Sequence, residues 1–455
     1  MDYVKIEITP TDSDIQRSIY CEMSEALRLR LEIPTSLNSL KISCGRHSVT
    51  CYLVFINEDR LALSISEDAL DALQLPSIAF NIQGCLKQIK HLKLGPIFGV
   101  LTEIKNRNQQ AYFGSIHDYC VELARYCHSK ALLFYVFSLS TYNKDEMMGY
   151  FFTEEEQWEK FRVPYPDVVH NRIHSRVTER SKAFSDVTSD FIEEKVPYFN
   201  DRFLNKWEIH QILLANEHLH PYLPDSERLH SKTQLENFLQ IKEDIFIKPL
   251  HGSQGKRIFR VIKEADSYKL DYTTFSGNLE KHFKTFHDLF LTLYPRVKKE
   301  GFLVQETIPL QPYKNRPMDF RFLCHKKNFY SWKVSSSIAR VSGVDQFVAN
   351  LARGGELQKI KEVLTDLYGT DKGRHIQKLL AELSIEIVNV ICLHAGGEFG
   401  EFGIDLALDE NGQPWIIEVN TKPSKSDEDR QEKTTRPSAR AVIDYCEFLA
   451  RINEL

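Results

Sequence analysis

Glycine and proline are scarce, with 20 and 17 among 455 residues. Collagen-like chains and Pro/Gly-rich disordered chains need about a quarter or more of such residues, so both classes are excluded. Paired cysteine spacings are also missing. The nine cysteines (Cys21, Cys44, Cys51, Cys85, Cys120, Cys127, Cys324, Cys392 and Cys446) are scattered, odd in number and never spaced Cys-x-x-Cys. A disulfide framework or zinc ribbon is therefore disfavoured, and free thiols in a reducing cytosol are expected. The most apolar run, residues 131–140, falls far short of the ~18 residues that suggest a membrane span. The opening MDYVKIEITP lacks a basic stretch followed by an apolar one, so no signal peptide is expected. Basic charge is not in excess either. Lys and Arg number 58 against 63 Asp and Glu, a formal charge of −5, which offers no general basic field to nucleic acid. A soluble, cytoplasmic protein with no transmembrane segment and no nucleic-acid partner is the expectation.

What is present is ordinary globular material, 42% hydrophobic and 27% charged. At ~150 residues per domain the length suggests about three domains. Residues 1–95 read as a small β-rich domain, with turn signals at Cys44-Gly45 and Asn57-Glu58-Asp59. Within it SEDALDAL reads as a short helix capped by Ser66. Residues 96–200 alternate strand and helix, the pattern of an α/β layer with parallel strands. Residues 201–455 form the largest region. It opens with a helix over 200–216, and Ser231 and Gln234 have capping-box spacing at the start of a second. Strands DIFIKPL, RIFRVIK, FLVQETI, MDFRFLCHKK and NFYSWKVSSSI follow, then two helical stretches over 356–394, a hairpin and a C-terminal helix. The mixed-charge segment 424–436 reads as a loop.

The hairpin GIDLALDENGQPWIIEVN is the most informative segment. Asn411-Gly412 between apolar strands predicts a type I′ turn, since both residues tolerate positive φ. That turn places Asp405 opposite Glu418, with Asn420 on the same face two residues on. Facing carboxylates repel unless a cation lies between them. Three hard oxygen donors suit Mg²⁺ bridging phosphates. Ile404, Leu406, Leu408, Ile417 and Val419 are then expected to cover the opposite, buried face. Polar-out alternation is common in antiparallel sheets, so the hairpin alone is equally compatible with a solvated face and no metal.

Lys248 lies inside an apolar strand, where a lysine needs a partner. The loop after it, Gly252-Ser253-Gln254-Gly255, offers backbone N–H groups to phosphate oxygens, although a plain β-turn uses the same residues. It is not a P-loop. Gln305 and Glu306 sit in the next apolar strand. Asp319 and Arg321 share a strand face, and Arg340 lies on the following strand. Arginine forks match phosphate and carboxylate geometry, while a surface ion pair is the bland alternative for Arg321.

The order of lysine strand, glycine loop, Gln-Glu strand, Asp-x-Arg strand and Asp…Glu-x-Asn hairpin resembles the ATP-grasp fold over about residues 200–425. MDFR, FGIDLALDENGQPWIIEVNTKPS and LGPIFGVL resemble in particular the YheC/YheD family of endospore coat-associated ATP-grasp proteins. The resemblance implies an α+β ATP-grasp domain of two α+β lobes, preceded by an α/β pre-ATP-grasp domain and the small β-rich one. It further implies that Lys206 and Lys248 contact ATP phosphates, and that Gly252, Ser253, Gln254 and Gly255 cover them. Gln305, Glu306 and the backbone around Ile308 would hold adenine at a hinge. Asp319 would approach the ribose, and Arg321 the γ-phosphate or an acyl-phosphate. Asp405, Glu418 and Asn420 would bind Mg²⁺. Arg340 and Asn350 resemble positions near metal and acceptor in the glutamate-ligase branch. That branch has Asn-x-Ser-Pro where this chain has Asn420-Thr421-Lys422-Pro423. Lys422 therefore suggests an anionic substrate, and acceptor identity does not carry over.

Two functions follow from the resemblance. The first is an ATP- and Mg²⁺-dependent ligase, with Arg321, Arg340 and Lys248 catalytic, that joins a carboxylate of unknown identity to an amine or similar nucleophile through an acyl-phosphate. The alternative is a nucleotide-binding scaffold of the spore coat, without turnover, whose partners are coat proteins. Either would act on the mother-cell side, at the forespore or coat surface. A protein kinase is disfavoured because His-Arg-Asp and Asp-Phe-Gly segments are absent. His170, His174, His210, His218 and His220 lack metal-ligand spacing and read as surface or satisfied histidines. Phe113 and Tyr119 read as core.

Overall fold

The computed structural model describes residues 2–11, 19–107, 110–252, 257–274, 277–298, 300–343, 355–425 and 435–452. The chain divides into two compact units. One comprises Met1–Asp201, Lys327–Tyr330 and Arg430–Leu455; the other comprises Arg202–Lys326 and Ser331–Asp429.

The first unit begins with a closed seven-stranded barrel. Its strand order is Val4–Pro10, Ala62–Ile65, Tyr20–Ser24, His47–Ile56, Ser39–Cys44, His91–Leu94, Phe80–Gln88. Period-two alternation turns Val4, Ile6 and Ile8 inward, as a half-buried strand requires. Glu67–Leu73 is helical with Ser66 at its N-cap position, but the Ser66 side chain makes no capping hydrogen bond. Its hydroxyl accepts instead from the Tyr20 N–H at 3.1 Å, because the barrel strand brings a competing donor.

A six-stranded sheet follows, in the order Trp158–Arg162, Met148–Phe152, Leu133–Phe137, Ile97–Leu101, Val168–Asn171, Tyr198–Phe199. Its core pairs are parallel, but Met148–Phe152 runs antiparallel to both its neighbours, Leu133–Phe137 and Trp158–Arg162. The short links between those three strands permit only antiparallel pairing. One apolar face packs on the helices His117–Ser129 and Pro437–Ile452, burying Phe113, Tyr119, Val442 and Leu449. The C-terminal helix thus joins the first unit, not residues 201–429. A single core runs from Ile6 and Ile42 through Ile97 and Leu133 to Phe191, so residue 95 separates two sheets within one compact unit. His170 is buried and stacks on the Phe199 ring at 4.6 Å.

The second unit has two antiparallel sheets. The first has the order Ser226–Arg228, Phe302–Glu306, Asp244–Pro249, Phe259–Lys263, Tyr268–Thr274, Gly277–Phe283. Helices Lys232–Lys242 and Phe286–Val297 cover it through Leu235, Leu239, Leu289 and Leu293. Ser231 caps the first of these helices by accepting from Gln234 N–H, while the Gln234 side chain reaches back to His230 N–H. The second sheet has the order Glu356–Gln358, Ser331–Val341, Met318–Asn328, Glu401–Leu408, Pro414–Asn420. Phe320, Phe322, Ile404 and Leu406 pack with helices Lys206–Leu214 and Thr370–His394. The opening helix is shorter than expected because Asn205 caps it, accepting from Glu208 N–H at 2.9 Å. Among the described residues no helix is long and apolar enough to cross a membrane, and all nine cysteines are free thiols.

Candidate functional site

Antiparallel pairing sets Asp405 directly opposite Glu418, and Gly403 opposite Asn420. The turn that achieves this differs from the expected one. Only Gly412 has positive φ, at +82°, so Asn411-Gly412 is not a type I′ turn. The Gly412 N–H donates to the Asp409 carbonyl at 2.9 Å, and the Asp409 carboxylate accepts from the N–H groups of Asn411 and Gln413, each at 2.9 Å. This longer loop pairs Leu408 with Pro414. A bulge between Asp405 and Leu406 then shifts the register by one, which restores the Asp405–Glu418 pairing. The bulge also changes which isoleucine is buried. Ile416 joins the core with Val419, while Ile417, expected there, lines a cavity beside Glu418.

That cavity, about 50 Å³, lies between the two sheets of the second unit. Its polar wall includes Lys206, Lys248, Gln305 and Glu418; its apolar wall includes Ile209, Leu213, Leu303 and Ile417. Lys206 opens its helix, and its ammonium donates to Glu418 and, at 3.3 Å, to the Gly252 carbonyl. Lys248 alternates with the buried Ile245 and Ile247, so its side chain faces the cavity and donates to the Gln305 amide oxygen. The Gln305 amide nitrogen donates in turn to Ser226 Oγ at 2.9 Å. Burial, reinforced by the Lys206 ammonium and opposed by Glu418, pushes Lys248 down to about 8. One ion pair, Lys206–Glu418, and one charge–amide hydrogen bond, Lys248–Gln305, thus line this space. At that size it admits a few waters.

Beside the cavity the Met318–Asn328 and Glu401–Leu408 strands set Arg321 opposite Asp405. The Arg321 guanidinium donates to both Asp405 oxygens, one at 2.9 Å. Arg340 donates to both oxygens of Asp319, each at 2.6 Å, and lies 3.0 Å from an Asp405 oxygen. All four side chains are buried. Burial alone would raise the Asp405 carboxyl, but Arg321 and Arg340 outweigh it and hold the group below its usual range. Two arginines therefore face two carboxylates in a low-dielectric sheet face, with Glu418 and Lys206 beyond them.

The expected positions divide accordingly. Lys206, Lys248, Gln305 and Glu418 share the cavity, and Gly252 meets it through its carbonyl. Asp319, Arg321, Arg340 and Asp405 form the adjoining network. Glu306 points elsewhere. It accepts from Asp225 N–H and Lys242, both at 2.8 Å, because adjacent strand residues face opposite sides. Ile308 lies beyond that strand and is not part of the cavity wall. Asp319 is engaged by Arg340. Lys422 is buried with its ammonium 4.7 Å from the Phe203 ring centroid. Ser253, Gln254, Gly255 and Asn350, and most of 424–436, lie outside the described residues. His210 lines the cavity, while His218 meets Glu386 at 2.8 Å and His220 meets the Leu214 carbonyl at 2.6 Å.

Among the described residues no group of three or more His, Cys, Asp or Glu side chains is placed to hold a metal ion. Asp405 and Glu418 nevertheless fit one half of a divalent-cation site. They are cross-strand neighbours, and each already holds a cationic side chain. Asn420 follows on the same strand as an oxygen donor.

Three relatives resemble the chain in sequence. The endospore coat-associated protein YheD of Bacillus subtilis (strain 168) is 26% identical over 410 residues, covering 87% of this chain and 88% of that protein. The endospore coat-associated protein YheC of the same strain is 21% identical over 347 residues, covering 73% and 92%. A glutathione synthetase of Buchnera aphidicola subsp. Baizongia pistaciae (strain Bp) is 27% identical over 177 residues, covering 39% and 51%. Two lobes of antiparallel sheet with Lys248 on one and an Asp…Glu-x-Asn hairpin on the other agree with the YheC/D-like ATP-grasp family model, which matches residues 195–449. The chain belongs to that family and has the α+β ATP-grasp fold.

Proposed function

We propose that the second unit binds ATP with Mg²⁺ and activates a carboxylate for ligation. A substrate carboxylate oxygen attacks the γ-phosphorus, the β–γ bridge bond breaks and ADP leaves. An amine or similar nucleophile then attacks the acyl carbon, phosphate leaves, and the nucleophile loses a proton. The observation that carries this reading is the convergence of Lys206, Lys248, Arg321 and Arg340 on the face that bears Asp405 and Glu418.

Lys206 and Lys248 exchange Glu418 and Gln305 for phosphate oxygens. Arg321 and Arg340 stabilise charge that develops on the transferred group. Gln305, with Leu303 and Ile417, forms a wall for adenine. Asp405, Glu418 and Asn420 would hold Mg²⁺, which neutralises phosphate charge and orients the leaving group. The similarity to a protein named glutathione synthetase favours amide-forming ligation. The names of the two Bacillus relatives favour a place at the endospore coat, with mother-cell cytoplasm as the site of action and coat proteins as partners. Those names also support a second reading, a nucleotide-binding coat scaffold that does not turn over.

Lys248 supplies a direct test. Its ammonium loses its proton near pH 8, where an ordinary lysine is still charged. Affinity for a non-hydrolysable ATP analogue with Mg²⁺ is expected to fall about tenfold between pH 7 and 9 in a calorimetric titration. Lys248→Arg flattens that dependence, because guanidinium stays charged. The stability term has the opposite sign. A lysine with a lowered folded pKa costs stability below pH ~8, and that cost fades as pH rises toward 10.5, so the affinity loss is not incipient unfolding. No measurable nucleotide binding by the wild-type chain at pH 7 rules the reading out.

A further inference from the structure

Resting on that reading, we propose that Glu401 and Lys425 are positioning residues for phosphoryl transfer: their buried ion pair pins the segment 421–425 across the Glu401–Leu408 strand, where Pro423 braces Arg321. Cross-strand pairing on this sheet face sets Arg321 opposite Asp405, and His325 opposite Glu401. The two pairs are four residues apart, about 13 Å along the strands. Between them lies Gly403. A Cβ placed on Gly403 would come within 2.7 Å of Pro423 Cβ and 3.6 Å of Arg321 Cδ. Pro423 therefore packs directly on the Gly403 backbone, beside the stem of the arginine that faces Asp405.

The end of the strap is fixed by charge. Lys425 Nζ donates to Glu401, with the two side chains 1% and 0% exposed. His325 Nε2 lies 3.4 Å from the same Glu401 oxygen, and its Nδ1 is 2.7 Å from Ser335 Oγ. The cluster thus ties three strands and the strap together. An isosteric apolar replacement of a buried ion pair is often as stable or more so, so the pair's contribution is geometric. A charge pair of this kind allows one register of the strap, whereas apolar contact would allow several.

Selectivity between nucleotides tests this. Arg321 is proposed to meet the γ-phosphate, which ADP lacks, so misplacing Arg321 weakens binding of the ATP analogue and spares ADP. In Lys425→Met the affinity for the analogue with Mg²⁺ falls about tenfold, the worth of one charge-assisted hydrogen bond. ADP affinity stays within about twofold, and Lys425→Arg restores the wild-type ratio. Pro423→Gly, which leaves no buried charge unpaired, shows the same selective loss and covers the case in which Lys425→Met does not fold. Equal loss of both nucleotides, or an unchanged ratio in Pro423→Gly, makes the strap merely structural and overturns the proposal. A wild-type chain that binds neither nucleotide overturns the ligase reading as well, whereas wild-type binding with an unchanged ratio overturns only the strap.

Discussion

Glu418→Ala is expected to lower Mg²⁺-dependent ADP formation by at least ~10²-fold while leaving the fold in place. The two halves of that expectation have separate causes. Glu418 sits opposite Asp405 in the hairpin register, so its loss removes one of the two facing carboxylates that would hold the cation. It also frees Lys206, which keeps only the Gly252 carbonyl among these contacts and no longer has an anion to exchange for phosphate. The stability cost is small because the pair is not deeply buried. Side-chain exposure is 18% for Lys206 and 28% for Glu418, and ion pairs of this kind contribute ~0–1 kcal/mol. A coupled assay for ADP, run beside a thermal melt, separates the outcomes. ADP release at the wild-type rate with an unchanged melt removes the metal role and the ligase reading built on it. A wild-type chain that binds nucleotide but releases no ADP with any carboxylate and amine offered favours the scaffold.

How much of this site is legible in the chain depends on the range of the interaction. Period-two alternation over a few residues places Lys248 on the face opposite Ile245 and Ile247, and Asp319 beside Arg321. The same rule also forbids Gln305 and Glu306 from facing one cavity, and only Gln305 does. The Asp405–Glu418 pairing is legible for a partly mistaken reason. A type I′ turn and a longer loop with a bulge give the same register at the carboxylates, and differ only in whether Ile416 or Ile417 is buried. A bulge has no signature in one sequence, so Ile417 is invisible as a wall of the site. Partners far apart in the chain are not legible at all. Nothing local to Arg340 says that it will bridge Asp319 and Asp405, and nothing in Pro437–Ile452 says which core its apolar stripe joins.

Arg340→Leu tests whether that arginine network also carries stability. Arg340 is the bidentate partner of Asp319, and Asp405 keeps Arg321 when Arg340 is lost. The substitution therefore strands one buried carboxylate, Asp319, whose side chain is 11% exposed. Breaking a buried pair by removing one partner costs ~3–5 kcal/mol at neutral pH. For a unit of this size that lowers the melting temperature by roughly 10 °C. The pH dependence identifies the cause. Burial already pushes Asp319 above the ordinary carboxylate value, with Arg340 opposing, so loss of Arg340 raises it further. A carboxyl whose folded pKa exceeds its unfolded one binds more protons when folded, and stability then rises as pH falls through that window. The deficit of Arg340→Leu is expected to shrink between pH 7.5 and pH 5. Adding Asp319→Asn removes the stranded charge and should recover most of the loss without restoring nucleotide affinity, since the guanidinium is still missing. A deficit that is the same at both pH values, or that Asp319→Asn leaves untouched, would mean that lost packing around the Arg340 stem, and not a stranded carboxylate, sets the stability of this face.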